Sequence, residues 1–247
     1  MKMVCSLLIA FASVSSLGFG HGLASAQVSI TEVSSNNFFG EDWFELTNFT
    51  DSVVSLNGFY WDDDGPAGND GAEFGDFSLN AGESLIVLQG SESEDSIATL
   101  FRDLFGLSDD LQVLTEDDFT GPDTFFGLSG AGDEISLFDT DPNVLGADFN
   151  LIDFVEFSEA TEGVSFDITS GVPTPSVDGI NGAVAVNVTD PDNGSVIGVD
   201  VGSPGVAVPE PGSIALSSAD EAKPLIAVKS LVAVVPKASA HRWPIKM

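Results

Sequence analysis

The sequence, 247 residues long, has few of the side chains that reactive protein sites need. Its single cysteine is Cys5, and its two histidines are His21 and His241. Residues 27–222 contain no cysteine, histidine or lysine. This stretch therefore offers no Ser-His-Asp or Cys-His site, no lysine for a Schiff base and no zinc site of nitrogen and sulfur ligands. The remaining carboxylates, hydroxyls and amides suit hard cations or a glycosidase that uses two carboxylates.

Positive charge is also scarce in residues 27–222. Arg102 is the one base there against all 39 acids, which gives this stretch a net charge of −38. No basic patch can form on it to hold a phosphate backbone, so we expect no nucleic-acid partner. The 19 phenylalanines show that the chain can bury a core and is not of the disordered acidic type. Strong acidity keeps an exported protein soluble in salty surroundings and makes cations its expected partners.

Residues 1–26 have the pattern of a secretory signal peptide. Lys2 supplies the positive start, the stretch 7–19 is mostly apolar and small, and Ala24-Ser25-Ala26 fits the cleavage site. The prediction is an exported protein, extracellular or attached to the cell surface. Cleavage would remove Cys5, so the mature protein would depend on packing or on metal ions instead of disulfides.

The chain changes character again in a C-terminal tail, residues 206–247. The segment VPEPGSIAL (208–216) is similar to the start of the bacterial PEP-type C-terminal sorting signal. The apolar run 225–235 that follows has only 11 residues and is interrupted by Lys229. A membrane span needs about 20 residues, so we expect no stable membrane span. A degraded sorting signal, a change of reading frame and an electrostatic tail are all open interpretations.

Between the two ends, alternating polar and apolar residues predict one β-rich domain over residues 27–205. Short strands are predicted within 27–34, 42–47, 52–61, 83–89, 134–138 and 152–157, with turn signals between them and an Asn-Gly turn at Asn57-Gly58 inside the third segment. Ile97, Leu100, Phe101 and Leu104 instead follow helical spacing, and Gly106 comes after them. The pattern therefore predicts an all-β antiparallel sandwich with one short helix.

The apolar residues of these strands predict the inner faces of two sheets. Gly130 and Gly132 predict a tight hairpin turn that needs a positive φ. The predicted core consists of Trp43, Phe44, Leu46, Leu56, Phe59, Leu85, Val87, Ile135, Leu137, Phe154 and Phe157.

Several segments in this order resemble the lamin tail domain, a family found at the end of nuclear lamins and in many exported bacterial proteins. They are DWFELTN (42–48), VSLNGFYWDDD (54–64), FGDFSLNAGESLIVL (74–88), FGL (105–107), GLSGAGDEISLFD (127–139) and LIDFVEF (151–157). The resemblance implies an immunoglobulin-like antiparallel β-sandwich. Phe59 stands where the family usually has tryptophan, and the segment 158–199 is long and rich in glycine.

The loop WDDDGPAGND (61–70) is the best candidate for a metal site. Asp62, Asp64 and Asp70 bring carboxylates together on a glycine-containing turn, as calcium requires, although the spacing is not that of an EF-hand. Asp139–Asn143 and Asp190–Asn193 are weaker candidates of the same kind. Turn formation alone also explains acidic loops, because Asp and Asn favour turns.

The expected function is a non-catalytic interaction module at the cell surface or in the extracellular matrix, in which calcium stabilises the fold. Its partner would be a surface protein or a polysaccharide. One alternative is a carbohydrate-binding module, which would show coplanar exposed aromatics on one sheet face. The other is a carboxylate-based glycoside hydrolase, which would show a cleft with paired acids, one of them with a raised pKa.

Overall fold

The structure is a computed structural model that describes residues 28–63, 71–90, 97–120, 127–144 and 150–206. The predicted signal peptide (1–26) and the sorting motif (208–216) lie outside these residues. The same holds for Asp64 and Asp70, two of the three predicted calcium ligands.

The described residues form an all-β sandwich with one short helix, as the alternating pattern predicts. The helix, α1, covers Ile97–Phe105, and a single 3₁₀ turn covers Glu116–Asp118. Its strands are β1 Val28–Ser34, β2 Trp43–Asn48, β3 Val54–Ser55, β4 Tyr60–Asp62, β5 Ala72–Glu73, β6 Ser78–Leu79, β7 Ser84–Leu88, β8 Gln112–Leu114, β9 Gly132–Phe138, β10 Leu151–Ser158, β11 Phe166–Asp167, β12 Thr174–Pro175, β13 Val184–Thr189 and β14 Val196–Gly202.

Two main sheets make up the sandwich. The larger has the strand order β12-β11-β1-β2-β7-β8, and the smaller has the order β10-β9-β4-β5. All pairs are antiparallel except β7 with β8, which is parallel because α1 carries the chain back to the same end of the sheet. Strands β3 and β6 form a small separate pair, and β13 and β14 form a hairpin.

The main core lies between the two sheets. Phe44 and Leu46 on β2 point into this core, and so do Leu85 and Val87 on β7. Ile135 and Leu137 on β9, in the smaller sheet, pack in the same core. Phe59 packs at the margin of this core, as a partly buried residue, and Phe154 is half buried. The predicted inner-face residues therefore fill this core, except Trp43 and Phe154, which do not belong to it.

Trp43 lies on the opposite face of the larger sheet, where α1 covers it. Consecutive strand residues point to opposite faces, so Trp43 and Phe44 could not share one core. The Trp43 and Phe101 rings meet edge to face, with centroids 5.4 Å apart. This second cluster buries Trp43, Ile86, Leu88, Ala98, Phe101 and Val113.

The helical face also differs in detail from the prediction. Ala98 and Phe101 are buried and Phe105 packs beside them, whereas Leu100 is exposed. The helix ends before Gly106, which has a φ of 67° and so takes the left-handed conformation that glycine tolerates best. Among the described residues, no helix is long and apolar enough to cross a membrane.

The β13–β14 hairpin is fixed to the rest of the domain by Asp200. Its carboxylate accepts hydrogen bonds from the main-chain N–H groups of Phe38 (2.8 Å) and Phe39 (3.0 Å), in the loop between β1 and β2. The ring of Phe38 lies directly against Gly198, and a Cβ at that position would overlap it. Glycine at 198 is therefore needed for close packing of the hairpin.

We expect Gly198→Ala to destabilise the domain by about 1–3 kcal/mol, the usual cost of inserting a methyl group into a well-packed site. Urea unfolding followed by tryptophan fluorescence measures this. The matched control is Val196→Ala on the same strand, where the side chain is exposed and the loss should be small. Equal stability of the Gly198→Ala variant and the native chain would show that Phe38 does not hold the hairpin.

Candidate functional site

Two glutamates lie side by side inside the larger sheet. Glu32 on β1 and Glu45 on β2 are paired across the two strands, and each is only 1% exposed. A β-bulge between Ile30 and Glu32 shifts the register just before this pair. Their side chains lie on the face away from the main core, next to the part that α1 covers.

Glu32 is surrounded by hydrogen-bond donors. Ser203 donates its main-chain N–H to Oε1 (2.8 Å) and its hydroxyl to Oε2 (3.0 Å). The Ser165 hydroxyl donates to Oε1 at 2.5 Å and also contacts the Ser176 hydroxyl at 2.8 Å. The end of β14 and the start of β11 therefore close over this carboxyl.

Glu45 is closed in by the same exit segment. Gly205 donates its main-chain N–H to Oε2 at 2.5 Å. The Thr31 hydroxyl donates to Oε1 at 2.5 Å and contacts the Thr47 hydroxyl at 3.0 Å. The segment Ser203–Gly205 thus bonds both glutamates and seals them from solvent.

Burial raises the pKa of both groups. The pKa of Glu32 rises to about 7, chiefly because the charged form loses its hydration, and the donated hydrogen bonds only partly offset this loss. The pKa of Glu45 rises to about 8 for the same reason, with repulsion from Glu32 added. The nearby charge of Asp167 raises the pKa of Glu32 further. The pair therefore holds at least one proton at neutral pH.

Paired carboxyls with a raised pKa are what a carboxylate-based hydrolase would need, but this pair has no access to a substrate. Main-chain and hydroxyl groups of Ser203, Gly205 and Ser165 occupy the space around it. The geometry makes these two carboxyls internal hydrogen-bonding groups that fasten the C-terminal end of the domain to the sheet.

The predicted calcium ligands are only partly described. Asp62 is the last residue of β4, opposite Ser136 on β9, and is 4% exposed. Asp64 and Asp70 lie outside the described residues, so calcium at this loop stays a prediction. Among the described residues, no group of three or more Asp, Glu, His and Cys side chains is placed to hold a metal ion.

The two weaker candidate loops use their carboxylates in turns. Asp190 accepts a hydrogen bond from the main chain of Asp192 (2.8 Å) and one from the Asn193 amide (2.7 Å). In the other loop, the Asp141 carboxylate accepts the Asn143 main-chain N–H at 2.8 Å. These are Asx-type turns.

The structure joins two acidic loops that are far apart in the sequence. The Asn143 amide donates to the carbonyl of Gly71 at 2.9 Å, immediately after the predicted calcium loop. The amide oxygen of Asn143 is buried and accepts no hydrogen bond. This contact holds the second loop against Gly71, the residue that follows the first loop.

The aromatic side chains offer little to a sugar. Trp61, next to Asp62, is 3% exposed and packs against Phe44 with ring centroids 4.9 Å apart. Every exposed large apolar side chain among the described residues is aliphatic. A depression of about 270 Å³ is lined by Glu156, Phe157, Ser158 and Pro173, with Phe157 itself buried.

Asp42 is a third acid in an unusual position. Its main-chain carbonyl accepts the N–H of Gln89 at 2.8 Å, which extends the β2–β7 ladder by one step. Burial raises the pKa of the Asp42 carboxyl to about 7, with the negative charges of Glu41 and Asp133 adding to the effect. The Gln89 side chain beside it is buried, and neither its oxygen nor its nitrogen has a hydrogen-bond partner.

No family model matches this sequence, and no curated protein matches it significantly. The resemblance to the lamin tail domain therefore stays a prediction that depends on the motifs quoted above.

Sequence reasoning missed Glu32, Glu45 and Gln89, because it assigned the polar residues of alternating strands to solvent. One signal was present in the adjacent pair Trp43-Phe44. Two large aromatics in succession indicate a strand that is covered on both faces, and all six residues of β2 are indeed buried. On such a strand, Glu45 has to be buried as well.

The buried acids predict that stability falls as pH rises. A carboxyl whose pKa is raised on folding stabilises the fold below its ordinary pKa, and this contribution is lost as pH rises through the folded value. For Glu32 and Glu45 that window runs from 4.5 up to about 7 and about 8. We expect the melting temperature to increase as pH is lowered from about 9 to about 5, opposite to ordinary acid denaturation.

Glu45→Gln tests the assignment. The glutamine keeps an oxygen for the Gly205 N–H and turns its amide toward the Thr31 hydroxyl, so it imitates the protonated acid. At pH 9 we expect the variant to be more stable than the native chain by at least about 1 kcal/mol, the order of one unit of pKa shift, and to show a flatter pH profile. The control is the exposed Glu156→Gln, and identical profiles for all three proteins would contradict the prediction.

Proposed function

We propose that this chain is a non-catalytic, exported interaction module that binds a surface or matrix protein. The distribution of exposed apolar residues is the observation that carries the proposal. The predicted signal peptide supports export, and the sealing of the Glu32–Glu45 pair supports a role without catalysis.

Exposed aliphatic side chains are concentrated in the C-terminal third of the described residues. Four of them belong to the β13–β14 hairpin, namely Val184, Val196, Ile197 and Val199, and we call these the aliphatic hairpin surface. Val196 and Ile197 are consecutive and both more than half exposed, so both faces of the hairpin are open near its turn. The surrounding segments add Val172, Val177, Ile180 and Val206.

Exposed aliphatic residues in one region of an acidic domain mark a contact surface, because solvation alone does not favour them. The region is also held in place. The hydrogen bonds that Asp200 accepts from the N–H groups of Phe38 and Phe39 fix the hairpin, and Val201 pairs with the main chain of Gly163 and Ser165. A fixed surface loses little conformational entropy when it binds.

The chemistry of the surface favours a protein as partner. Aliphatic side chains pack against other apolar side chains, whereas sugars are bound by flat aromatic rings, which are not exposed among the described residues. The net charge of −38 over residues 27–222 would attract a partner whose apolar patch has a basic rim. This favours a surface or matrix protein over a polysaccharide.

The same proposal includes the immunoglobulin-like arrangement implied by the lamin-tail resemblance, and calcium at Asp62, Asp64 and Asp70. The contact of Asn143 with Gly71, the residue after that loop, supports the calcium part, because the buried amide oxygen of Asn143 has no hydrogen-bond partner. Calcium bound there would stabilise a domain that has no cysteine with which to form disulfides.

The test is binding of the purified mature chain to washed cells of the producing organism. We expect Val196→Ser with Ile197→Ser to reduce binding at least tenfold (~1.4 kcal/mol), because the double variant replaces two apolar side chains of the contact surface with polar ones. Val53→Ser is the control, since Val53 is 63% exposed but lies outside the hairpin. Unchanged binding of the double variant, with circular dichroism identical to the native chain, would contradict the proposal.

A further inference from the structure

The exit segment Ser203–Gly205, which follows β14, is attached to the sheet through side chains instead of a main-chain ladder. Ser203 donates its main-chain N–H to Glu32 at 2.8 Å, and Gly205 donates its own to Glu45 at 2.5 Å. The proline between them has no N–H to donate. Both main-chain donors of the segment are therefore given to the two buried carboxyls, and its docking depends on the chemical state of that pair.

The position of the segment allows it to move without the strands. Val201, near the end of β14, bonds through its main chain to Gly163 (2.7 Å) and Ser165 (3.1 Å), before the segment begins. Val206, just after the segment, is exposed, and its N–H bonds to the Ser203 carbonyl within the same turn. Ser203 and the proline after it are buried. Detachment would therefore expose two small side chains and the carboxyls beneath them, while β14 keeps its partners.

The hydrogen bonds around Glu32 favour a proton on its carboxyl. The Ser165 hydroxyl has one hydrogen but three neighbours, namely Glu32 Oε1 at 2.5 Å, the Ser176 hydroxyl at 2.8 Å and the Val201 carbonyl at 3.1 Å. The carbonyl and an ionised carboxylate can only accept, so they compete for this hydrogen. A protonated Glu32 donates to Ser165 instead, and the Ser165 hydrogen then goes to the Val201 carbonyl. The docked arrangement is therefore best satisfied when Glu32 carries a proton.

No base is among the groups that act on the pKa of either carboxyl; they are burial, hydrogen bonds and other negative charges. Asp167 on β11 is the further charge, and it repels Glu32. The remaining polar side chains of the surrounding elements are neutral hydroxyls, those of Thr31, Thr47, Ser84, Ser165, Ser176 and Ser203. Two adjacent carboxylates without water or a cation are costly, so ionisation of the pair opposes docking.

We propose that the exit segment Ser203–Gly205 is a proton-controlled latch, docked while the Glu32–Glu45 pair holds its protons and detached when the pair loses them, with both sheets still folded. Detachment lets water reach the two carboxylates, which removes the cost of their burial. The sorting-like motif (208–216) begins a few residues after the segment. The latch therefore sets whether the chain that leads into this motif is held against the domain. It is independent of the aliphatic hairpin surface and of its partner.

Detachment increases as pH rises. In the docked form the pKa values of Glu32 and Glu45 are about 7 and about 8, and contact with water returns both toward the ordinary value of 4.5. The docked form therefore binds more protons than the open form, and raising the pH from about 5 to about 8 weakens docking. Above this range the docked form has no further proton to lose from the pair, so the effect levels off.

The experiment is amide hydrogen exchange of the ¹⁵N-labelled mature chain, followed by NMR, with each rate divided by the intrinsic rate at the same pH to give a protection factor. We expect the protection of the Ser203 and Gly205 N–H groups to fall at least tenfold (~1.4 kcal/mol) between about pH 5 and about pH 8. It should also stay at least tenfold below that of Leu46 and Ile135 in the main core, because the latch opens without global unfolding.

Three variants make the result decisive. Glu45→Gln and Glu32→Gln each remove one titrating group and should each flatten the fall in protection, so either one suffices if the other does not fold. The exposed Glu156→Gln is the control and should keep the native profile. The proposal is overturned if the protection of the two latch amides is independent of pH, if it equals that of Leu46 and Ile135 at every pH, or if both buried-site variants keep the native profile. Binding to cells by the hairpin is measured separately, so failure of the latch leaves that proposal standing.

Discussion

The burial of two neighbouring carboxyls without a positive partner is the constraint on which this architecture depends. Glu32 and Glu45 occupy the face of the larger sheet that would otherwise be open to solvent. Because a desolvated charge is expensive, the fold supplies hydroxyl and main-chain donors from Thr31, Ser165 and the segment Ser203–Gly205. Burial also raises the pKa of both carboxyls, to about 7 and about 8. The C-terminal end of the domain is therefore fastened to the sheet by chemistry that depends on protonation. Helix α1 covers the other half of the same face with Phe101 and Phe105.

Local patterns predicted β1, β2, β7, β9, β10 and the helix at Ile97–Phe105. They missed β13 (Val184–Thr189) and β14 (Val196–Gly202), although both strands have six residues or more. They could not predict two-residue strands such as β5 and β12, whose pairing depends on neighbours distant in the sequence. They placed Trp43 in the wrong core, because the presence of a second covered face is a tertiary property. For the same reason local patterns could not predict the burial of Glu32, Glu45 and Gln89, because a polar residue in an alternating strand is ordinarily exposed.

The distribution of charge and apolar surface gives the domain two distinct regions. Acidic turns cover much of the sandwich, and several of them are built by Asx hydrogen bonds, as at Asp190 and Asp141. The β13–β14 hairpin instead presents aliphatic residues, and Asp200 holds it against the loop after β1. Repulsion between acidic surfaces opposes association of the domain with its own copies, while the hairpin leaves one region open for a partner of complementary charge.

The most direct test of the central claim is a ¹³C NMR titration of the glutamate side-chain carboxyls in glutamate-labelled mature protein. Glu32→Gln and Glu45→Gln would assign the two buried signals. The account predicts two carboxyls that titrate well above the rest, at apparent pKa values of about 7 and about 8, with each shifting when the other residue is replaced. Titration of every glutamate near its ordinary pKa of 4.5 would contradict it.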